Sequence, residues 1–146
     1  MTKAFVSAVR LLARREHGAY ELAQKLAQKK HSELEIQDAI EECQRLGLQS
    51  DARFVESLCR TRIRQGHGPA RIRQDLQQVR IERDLIENIL GAEHDNWVSY
   101  ARDVWMKKYS QQNEYSFADI QKQKQFLLYR GFSSSTINTF FKEMKA

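Results

Sequence analysis

Apolar residues recur along this chain at intervals of three and four, with charged and amide residues between them. Such spacing places apolar side chains along one side of a helix, whereas a strand alternates apolar and polar residues. Residues that favour helices (Ala, Leu, Gln, Arg, Lys and Glu) dominate the sequence. The stripes that define individual helices are Phe5, Val9 and Leu12; Ile36, Ile40 and Cys43; Phe54 and Leu58; Ile72, Leu76 and Val79; and Leu85 and Ile89. The pattern predicts an all-α fold of nine helices with roughly ten to sixteen residues each.

Helix starts are marked by polar residues that precede these apolar runs. Ser32 followed by Glu35 has the spacing of a capping box, in which each side chain accepts a hydrogen bond from the other residue's backbone N–H. Asp95, Ser116 and Ser133 each stand just before an apolar-periodic stretch, and all three are predicted to be N-caps.

The stretch GHGPARIRQDL at 66–76 combines glycine with positive charge, which raises the question of a phosphate-binding loop. It lacks the spacing of the phosphate-binding GxxxxGKS/T motif and of the dinucleotide-binding GxGxxG motif. Gly66 is predicted to end one helix and Gly68 to cap the next. Pro69 then occupies the first turn, where a missing N–H has no cost. The stretch is interpreted as a corner between two helices.

The sequence repeats itself with a period of about fifty residues. Seven residues of the first stretch recur fifty positions later: Ser7, Arg10, Arg14, His17, Gly18, Gln24 and Leu26 return as Ser57, Arg60, Arg64, His67, Gly68, Gln74 and Leu76. A further step of fifty-one places Phe132 at the position of Ile81, apolar on apolar. The chain is therefore predicted to hold three tandem three-helix repeats, at 1–49, 50–93 and 94–146, stacked into an elongated, curved body.

The composition is that of a folded chain and not of a disordered or fibrous one: 146 residues, 41% hydrophobic and 29% charged, with one proline. No run of about eighteen apolar residues occurs, and Lys3 and Arg10 interrupt the apolar N-terminal stretch. Neither a signal peptide nor a membrane span is predicted, and a cytoplasmic protein is expected. Cys43 and Cys59 lie in predicted helices without metal-ligand spacing and are expected to be reduced, half-buried thiols.

Residues suited to catalysis or metal binding show no recognised arrangement. The histidines, all at or near predicted helix ends, are His17, His31, His67 and His94. They form no HExxH motif, and no nucleophile accompanies them. The carboxylates that crowd one predicted helix are interpreted as a solvated acidic face: Glu33, Glu35, Asp38, Glu41 and Glu42. We therefore expect no enzymatic activity, no cofactor and no metal ion.

Positive charge is concentrated in the second repeat. The range 53–80 has seven arginines and two carboxylates, a local charge of +5 that equals the net charge of the whole chain. Five of these arginines lie along one helical stripe and at the start of the next helix: Arg53, Arg60, Arg64, Arg71 and Arg73. A solvated polar face would explain any one of them. Because the planar guanidinium suits phosphates and carboxylates, the set is predicted to contact a polyanionic partner.

A second basic group lies in the third repeat among aromatic residues. Its members are Lys107, Lys108, Lys122, Lys124 and Arg130, and the aromatic residues among them are Trp105, Tyr109, Phe126 and Tyr129. Basic and aromatic residues together are typical of single-strand nucleic-acid binding, although aromatic residues at helical spacing more often belong to a core. Trp105 and Phe126 are accordingly predicted to be buried, and the four lysines are predicted to join the arginines in binding.

Four stretches, in the same order along the chain, resemble the RecX regulatory proteins, small bacterial modulators of the RecA recombinase. These stretches are AVRLLARREHGAYELAQKL at 8–26, RLGLQSDARFV at 45–55, GHGPARIRQDL at 66–76 and KQKQFLLYRGF at 122–132. Two departures from the family pattern are Gly18-Ala19, where a serine-like helix start is usual, and Gln49-Ser50, where an acidic pair is usual. Weaker helix capping is expected at both places.

The resemblance implies a regulator of DNA recombination, DNA repair and the SOS response, and not an enzyme. Proteins of this family fold as tandem three-helix repeats, lie in the groove of the RecA–DNA filament and suppress its ATPase, strand-exchange and coprotease activities by blocking filament growth or promoting disassembly. The expected partner is the RecA filament on single-stranded DNA, with at most a weak direct contact to DNA, and a monomer is expected. Two alternatives are a direct DNA-binding repeat protein that does not depend on RecA, and a structural scaffold for another protein.

Overall fold

The computed structural model describes residues 1–112 and 114–145. These residues form nine α-helices and one turn of 3-10 helix, without a strand, which confirms the all-α prediction. The helices are α1 (Lys3–Arg14), α2 (Ala19–Gln28), α3 (Glu33–Arg45), α4 (Asp51–Arg64), α5 (Pro69–Gln78), α6 (Arg83–Gly91), α7 (Trp97–Tyr109), α8 (Phe117–Tyr129) and α9 (Ser134–Lys145). The 3-10 turn (His94–Asn96) precedes α7.

Three of the four predicted N-caps are confirmed. The capping box of α3 forms, because Ser32 Oγ accepts from the backbone N–H of Glu35 at 3.2 Å and Glu35 Oε1 accepts from that of Ser32 at 3.1 Å. Ser116 caps α8, and Ser133 Oγ accepts from the backbone N–H of Thr136 at 3.1 Å at the start of α9. The prediction for Asp95 is wrong, because this residue lies inside the 3-10 turn that leads into α7.

The chain divides into two compact units. Unit 1 comprises Met1–Ser57 and Leu76–Ile86, and unit 2 comprises Leu58–Asp75 and Glu87–Ala146. Helices α4, α5 and α6 therefore each contribute residues to both units. This division follows spatial contacts and not the sequence repeat, so the repeat boundaries 1–49, 50–93 and 94–146 stay a prediction.

In unit 1, α1 packs against α3, and α2 packs against both. The core that these three helices share is made of Ala8, Leu11, Leu22, Leu26, Ile36, Ile40 and Cys43. The α3 stripe is thus as predicted, whereas the most deeply buried face of α1 lies one position before the predicted stripe. Phe5, Val9 and Leu12 are partly buried at the edge of the core, whereas the small side chains of Ala4 and Ala8 are fully buried. Alanine lets helix backbones approach closely, which a search for large apolar residues does not detect.

The apolar stripes of α4 to α6 are confirmed in part. Phe54, Ile72 and Leu76 are buried as predicted. The predicted residues that are only partly buried are Leu58, Val79, Leu85 and Ile89. Buried positions that the stripes did not include are Val55, Cys59, Ile86 and Leu90. These helices bury a wider sector than the two or three residues of one stripe, which is typical of a helix with neighbours on more than one side.

Unit 2 has an aromatic core in which α7 packs against α8 and α9. Trp105 is buried with its ring centroid 5.6 Å from that of Phe140, which confirms the prediction for this tryptophan. Its indole N–H donates to Oε1 of the buried Gln123 at 2.7 Å. The prediction that Phe126 is buried is wrong: it is half-buried, because one side of its ring forms the wall of a cavity.

Both cysteines are free thiols, as predicted, but they are more deeply buried than the expected half-burial. Cys43 is fully inaccessible and Cys59 is 3% exposed. Burial raises the pKa of both thiols, and for Cys59 it reaches about 11, with a smaller contribution from the charge of Glu93. Neither side chain is therefore a reactive thiolate at neutral pH.

The corner at 66–70 has the predicted geometry. Gly66 ends α4 in the left-handed region at φ +88°, and α5 begins at Pro69 with Gly68 as its N-cap. The start of α5 is completed from a distant part of the chain, since the backbone N–H of Gly68 donates to the carbonyl oxygen of Arg130 at 2.8 Å. The structure thus assigns these glycines to a helix corner.

The expectation of weaker capping at α2 is wrong. Its N-cap, Gly18, has no side chain to offer, but Asp51 Oδ1 accepts from the backbone N–H of Ala19 at 2.8 Å. Gln49, which is 3% exposed, holds this carboxylate in place by donating to Asp51 Oδ1 at 3.0 Å and to the carbonyl oxygen of His17 at 3.1 Å. The departures from the family pattern at 18–19 and 49–50 thus meet in one hydrogen-bond network.

Candidate functional site

The net positive charge of the chain lies entirely in unit 2. Unit 1 has eleven basic and eleven acidic residues, whereas unit 2 has thirteen basic and eight acidic residues, which leaves +5. Unit 2 would therefore attract a polyanion more strongly than unit 1, and the basic side chains of this unit are the candidates for contact.

A cavity of about 530 Å³ in unit 2 collects four of these cations. Arg64 comes from the last turn of α4, Lys107 and Lys108 from the last turn of α7, and Arg130 from the residue after α8. Asp103 is the one carboxylate that lines it, so the lining carries a formal charge of +3. We call this feature the basic cavity.

The corner at Gly66 builds one side of the basic cavity. A Cβ atom at Gly66 would lie 3.3 Å from the side chain of Val104 on α7, so glycine permits this close approach as well as the positive φ. Arg130 Nη1 donates to the carbonyl oxygen of Gln65 at 3.1 Å, which fastens this guanidinium to the end of α4. Cations from α4, from α7 and from the residue after α8 therefore meet at this corner.

Phe126 forms the aromatic wall of the basic cavity, and two cations of the protein itself contact its ring. Lys108 Nζ lies 3.9 Å from the ring centroid, and Arg130 Cζ lies 5.2 Å from it. The ring of Tyr109 meets it edge-on at 5.7 Å. These cation–π contacts hold the positive charges beside the cavity. The arrangement is suited to binding anionic groups such as phosphates or carboxylates, more than to stacking a base on Phe126.

A second cavity, of about 460 Å³, adjoins Lys108 and extends the positive surface to Lys122. Tyr115, whose hydroxyl donates to the carbonyl oxygen of Tyr109, forms part of its lining. Lys124 is not part of this group, because its ammonium lies 5.6 Å from the ring centroid of Phe141 beside a different cavity. Three of the four predicted lysines are therefore brought together.

Of the five predicted arginines, three have carboxylate partners. Arg73 Nε and Nη2 donate to the two oxygens of Glu87 at 2.6 and 3.2 Å, and Arg71 lies 3.8 Å from Asp75. In unit 1, Arg53 pairs with Glu16 at 3.1 Å and also donates to the carbonyl oxygen of Gly47 at 2.8 Å. Exposed pairs of this kind are worth less than about 1 kcal/mol each, but they lower the charge available to a partner.

Arg60 and Arg64 are the two members of that set that have no ion pair among the residues the structure describes. Both are exposed on α4, and Arg64 makes only a 3.3 Å hydrogen bond to the hydroxyl of Thr61. Sequence reasoning missed Arg130 as a contact residue, although its position four residues after Phe126 in α8 places the two side chains together. Whether these residues bind a partner stays a prediction.

Two histidines are structural. His17 is 1% exposed, and its Nδ1 and Nε2 lie 3.0 Å from the Arg15 carbonyl oxygen and 2.9 Å from Lys25 Nζ. Burial lowers the pKa of both His17 and His67, so both imidazoles are neutral at physiological pH.

Across 1–112 and 114–145, no group of His, Cys, Asp and Glu side chains could hold a metal ion. None of the helices in these ranges is long and apolar enough to cross a membrane.

The fold and the basic cavity define a helical-repeat protein with a cluster of positive charge in unit 2. Three family models match in order: the first three-helix domain of RecX at residues 4–43, the second at 50–90 and the third at 98–141. The chain belongs to the RecX family, and relatives in this family are named Regulatory protein RecX.

Individual relatives agree with the family models. The chain is 55% identical over 146 residues to Regulatory protein RecX of Legionella pneumophila, which covers all of this chain and 97% of that protein. It is 37% identical over 131 residues to Regulatory protein RecX of Vibrio vulnificus, and the matched region covers 90% of this chain and 86% of that protein. The crystal structure of RecX from Lactobacillus salivarius superimposes with a TM-score of 0.80 at 26% identity, covering 98% and 95% of the two chains.

Proposed function

We propose that this protein binds the RecA filament on single-stranded DNA and lowers RecA's ATPase, strand-exchange and coprotease activities. The observation that carries the proposal is the basic cavity, which places four cations and one carboxylate, a formal charge of +3, at one corner of unit 2 in a RecX-family chain. A filament of protein on DNA presents phosphate oxygens and carboxylates along its length. Charge-assisted hydrogen bonds from guanidinium and ammonium groups are the strong polar contacts to both groups.

The free cations of the basic cavity are the residues expected to make first contact. Arg64, Lys107 and Lys108 are exposed, and none has an ion pair within the part of the chain that the structure describes. Arg71 and Arg73 would have to leave Asp75 and Glu87 before they bind elsewhere. We therefore rank Arg64 with Lys107 and Lys108 above the paired arginines as contact residues.

The mechanism that follows is the blocking of filament growth or the promotion of filament disassembly. A protein that contacts neighbouring protomers, or the growing end, affects many subunits that it does not touch. Inhibition is therefore expected at amounts well below one copy per RecA protomer.

The test is the rate of DNA-stimulated ATP hydrolysis by the cognate RecA with sub-stoichiometric amounts of this protein. The wild type should inhibit strongly, and the double variant Arg64→Glu with Lys107→Glu should lose most of the inhibition. The matched control is Lys142→Glu with Lys145→Glu, the same change of charge at exposed positions of α9 outside the basic cavity. Circular dichroism establishes that both variants fold. Equal inhibition by all three proteins would refute the assignment of the basic cavity, and no inhibition by the wild type would refute the proposed function.

The concentration of charge in unit 2 also favours a second candidate, direct binding to DNA without RecA. Its signature is salt dependence: the four cations of the basic cavity, if each neutralised one phosphate, would give a slope of about −3 in log K against log salt on single-stranded DNA. Fluorescence anisotropy of a labelled oligonucleotide measures this slope. Tight binding with that slope, combined with unchanged RecA hydrolysis, would replace the first proposal by the second.

A further inference from the structure

A separate groove in unit 1 has the opposite character to the basic cavity. It runs between α2 and α3, encloses about 440 Å³, and its walls are mostly hydrocarbon. Ala23 and Ala27 line it from α2, and Ile36 and Ile40 line it from α3, with the ring of Tyr20 at one end. We call this feature the apolar groove.

The corresponding position in the second repeat is bridged by an ion pair. A step of fifty residues converts Ala23 to Arg73 and Gln37 to Glu87. The guanidinium of Arg73 on α5 makes two hydrogen bonds to the Glu87 carboxylate on α6, at 2.6 and 3.2 Å. Long side chains therefore cross the second repeat's equivalent of the groove.

The third repeat covers the same position with a different pair. A step of 101 residues converts Ala23 to Lys124 and Ile40 to Phe141, and the Lys124 ammonium lies 5.6 Å from the ring centroid of Phe141. The cavity beside Lys124 is about 190 Å³, less than half the volume of the apolar groove. In the first repeat, the methyl group of Ala23 cannot reach across, so Ile36 and Ile40, which are 7% and 9% exposed, keep a narrow edge open to the groove.

The rim of the apolar groove is negatively charged. Among the nine residues that line it, the charged ones are Glu33 and Glu41, both on α3. Helix α3 as a whole has five carboxylates and one arginine. Leu34, next to Glu33, is 70% exposed and adds apolar surface at the start of α3. A positive group lies beside Tyr20: the guanidinium of Arg80 is 4.5 Å from the ring centroid of this tyrosine.

We propose that the apolar groove is a docking site for a basic amphipathic helix of a partner protein. The apolar stripe of such a helix would pack on Ala23, Ala27 and the exposed edges of Ile36 and Ile40. Lysine or arginine residues beside the stripe would pair with Glu33 and Glu41. The walls, α2 and α3, are 10 and 13 residues long, or about 15–20 Å, which suits three to four turns of a bound helix. This site goes beyond the proposed function, because its partner has the opposite charge to the polyanion expected at the basic cavity.

The probe is a synthetic peptide of about sixteen residues, long enough to form a helix, with leucine on one face and lysine on the other. The matched control peptide has glutamate in place of each lysine. Binding to the full chain is followed by the carbon-13 methyl signals of four groove residues: Ala23, Ala27, Ile36 and Ile40. The lysine peptide should shift these signals saturably, and the glutamate peptide should not. Because the chain as a whole is positively charged, unspecific attraction would favour the glutamate peptide.

The variant Ala23→Arg with Gln37→Glu transplants the second repeat's ion pair into the first repeat and should close the apolar groove. We expect it to melt at the wild-type temperature and to bind the lysine peptide at least about tenfold more weakly, a loss of about 1.4 kcal/mol. The control, Ala52→Arg with Gln77→Glu, makes the same residue changes at exposed positions outside the groove and should bind like the wild type. Glu33→Gln with Glu41→Gln should weaken binding several-fold.

Three results would overturn the proposal. The first is equal binding of the lysine peptide by the closed variant and the wild type. The second is equal binding of the glutamate peptide, which would remove the role of Glu33 and Glu41. The third is a concentration-dependent shift of the same methyl signals in the protein alone, together with a dimer in sedimentation, which would make a second copy of this chain the occupant. RecA inhibition by the closed variant should be unchanged, so this test and that of the proposed function fail separately.

Discussion

Gly68 lies so close to Gly131 that a Cβ atom on Gly68 would be 2.4 Å from the carbonyl carbon of Gly131. The contact is reciprocal, because a Cβ on Gly131 would lie 2.7 Å from the backbone nitrogen of Arg71. Two backbone hydrogen bonds join the same segments, from Gly68 to the Arg130 carbonyl oxygen at 2.8 Å and from Ala70 to that of Gly131 at 3.0 Å. The main chains at the start of α5 and the end of α8 are therefore in direct contact.

We predict that Gly68→Ala destabilises the protein by about 2–3 kcal/mol, because the added methyl group would have to displace backbone atoms and not a flexible side chain. Gly91→Ala is the matched control, since nothing lies within 4 Å of its Cβ position at the end of α6. This control should be neutral or slightly stabilising. Urea denaturation measures both values. A stability of Gly68→Ala within about 0.5 kcal/mol of the wild type would contradict the close packing.

The cap that Asp51 provides to α2 gives a second prediction. Asp51→Ala should cost about 1–2 kcal/mol of stability, because Ala19 and Gln49 would both lose an acceptor for their N–H groups. Asp51→Asn keeps a side-chain oxygen in the same place and should lose less than half as much. Thermal melting of the three proteins ranks them. If alanine and asparagine gave the same loss, the effect would come from charge and not from the hydrogen bonds.

The buried His17 gives a prediction about pH. Burial lowers its pKa, and the charges of Arg15 and Lys25 act in the same direction, against the hydrogen bond to the Arg15 carbonyl oxygen and the charge of Glu21. Between this lowered pKa and the unfolded value near 6.5, the unfolded state binds more protons than the native state, so stability rises with pH. The contribution of the neutral His17 to the free energy of unfolding is fully present above about pH 6.5. We therefore expect the melting temperature to fall as the pH decreases from about 7.5 to about 5.5.

The variants that test this assignment are His17→Gln and His94→Gln. The first removes a titrating group from the core and should flatten the dependence of melting temperature on pH. The second changes an exposed histidine and should leave the slope as in the wild type. His67, whose pKa is also lowered by burial, should account for part of the slope that remains after His17→Gln. An unchanged slope in His17→Gln would contradict the prediction.

Much of the fold could be predicted from local sequence, because its signals lie within one helix. The capping box of Ser32 and Glu35 joins residues three apart, and the corner at Gly66 and Gly68 depends on a short run of glycine and proline. The repeat period also aligned His67 and Gly68 of the second repeat with His17 and Gly18 of the first repeat. These signals do not depend on what the helix packs against.

The parts that could not be predicted depend on partners far along the chain. The charges of Arg53 and Arg73 are offset by Glu16 and Glu87, which lie 37 and 14 residues away, so a count of arginines overestimated the free positive charge. Phe126 was predicted to be a core residue because its spacing is helical, yet Lys108 and Arg130 make cation–π contacts with its ring. Glu16, Glu87 and Lys108 lie 37, 14 and 18 residues from the side chains that they contact, and helical periodicity does not predict contacts at these separations.

The sharing of α4, α5 and α6 between the two compact units has a consequence for any attempt to take the protein apart. The chain passes from one unit to the other inside three helices, between Ser57 and Leu58, between Asp75 and Leu76, and between Ile86 and Glu87. No single cleavage of the backbone can separate the two units, since each consists of two separate segments. A fragment that ends at a repeat boundary would hold one complete unit at most, together with stray helix ends whose apolar residues have lost their neighbours. Chimaeras of two relatives therefore have to be designed around the three helices that both units share, and not around the loops between the sequence repeats.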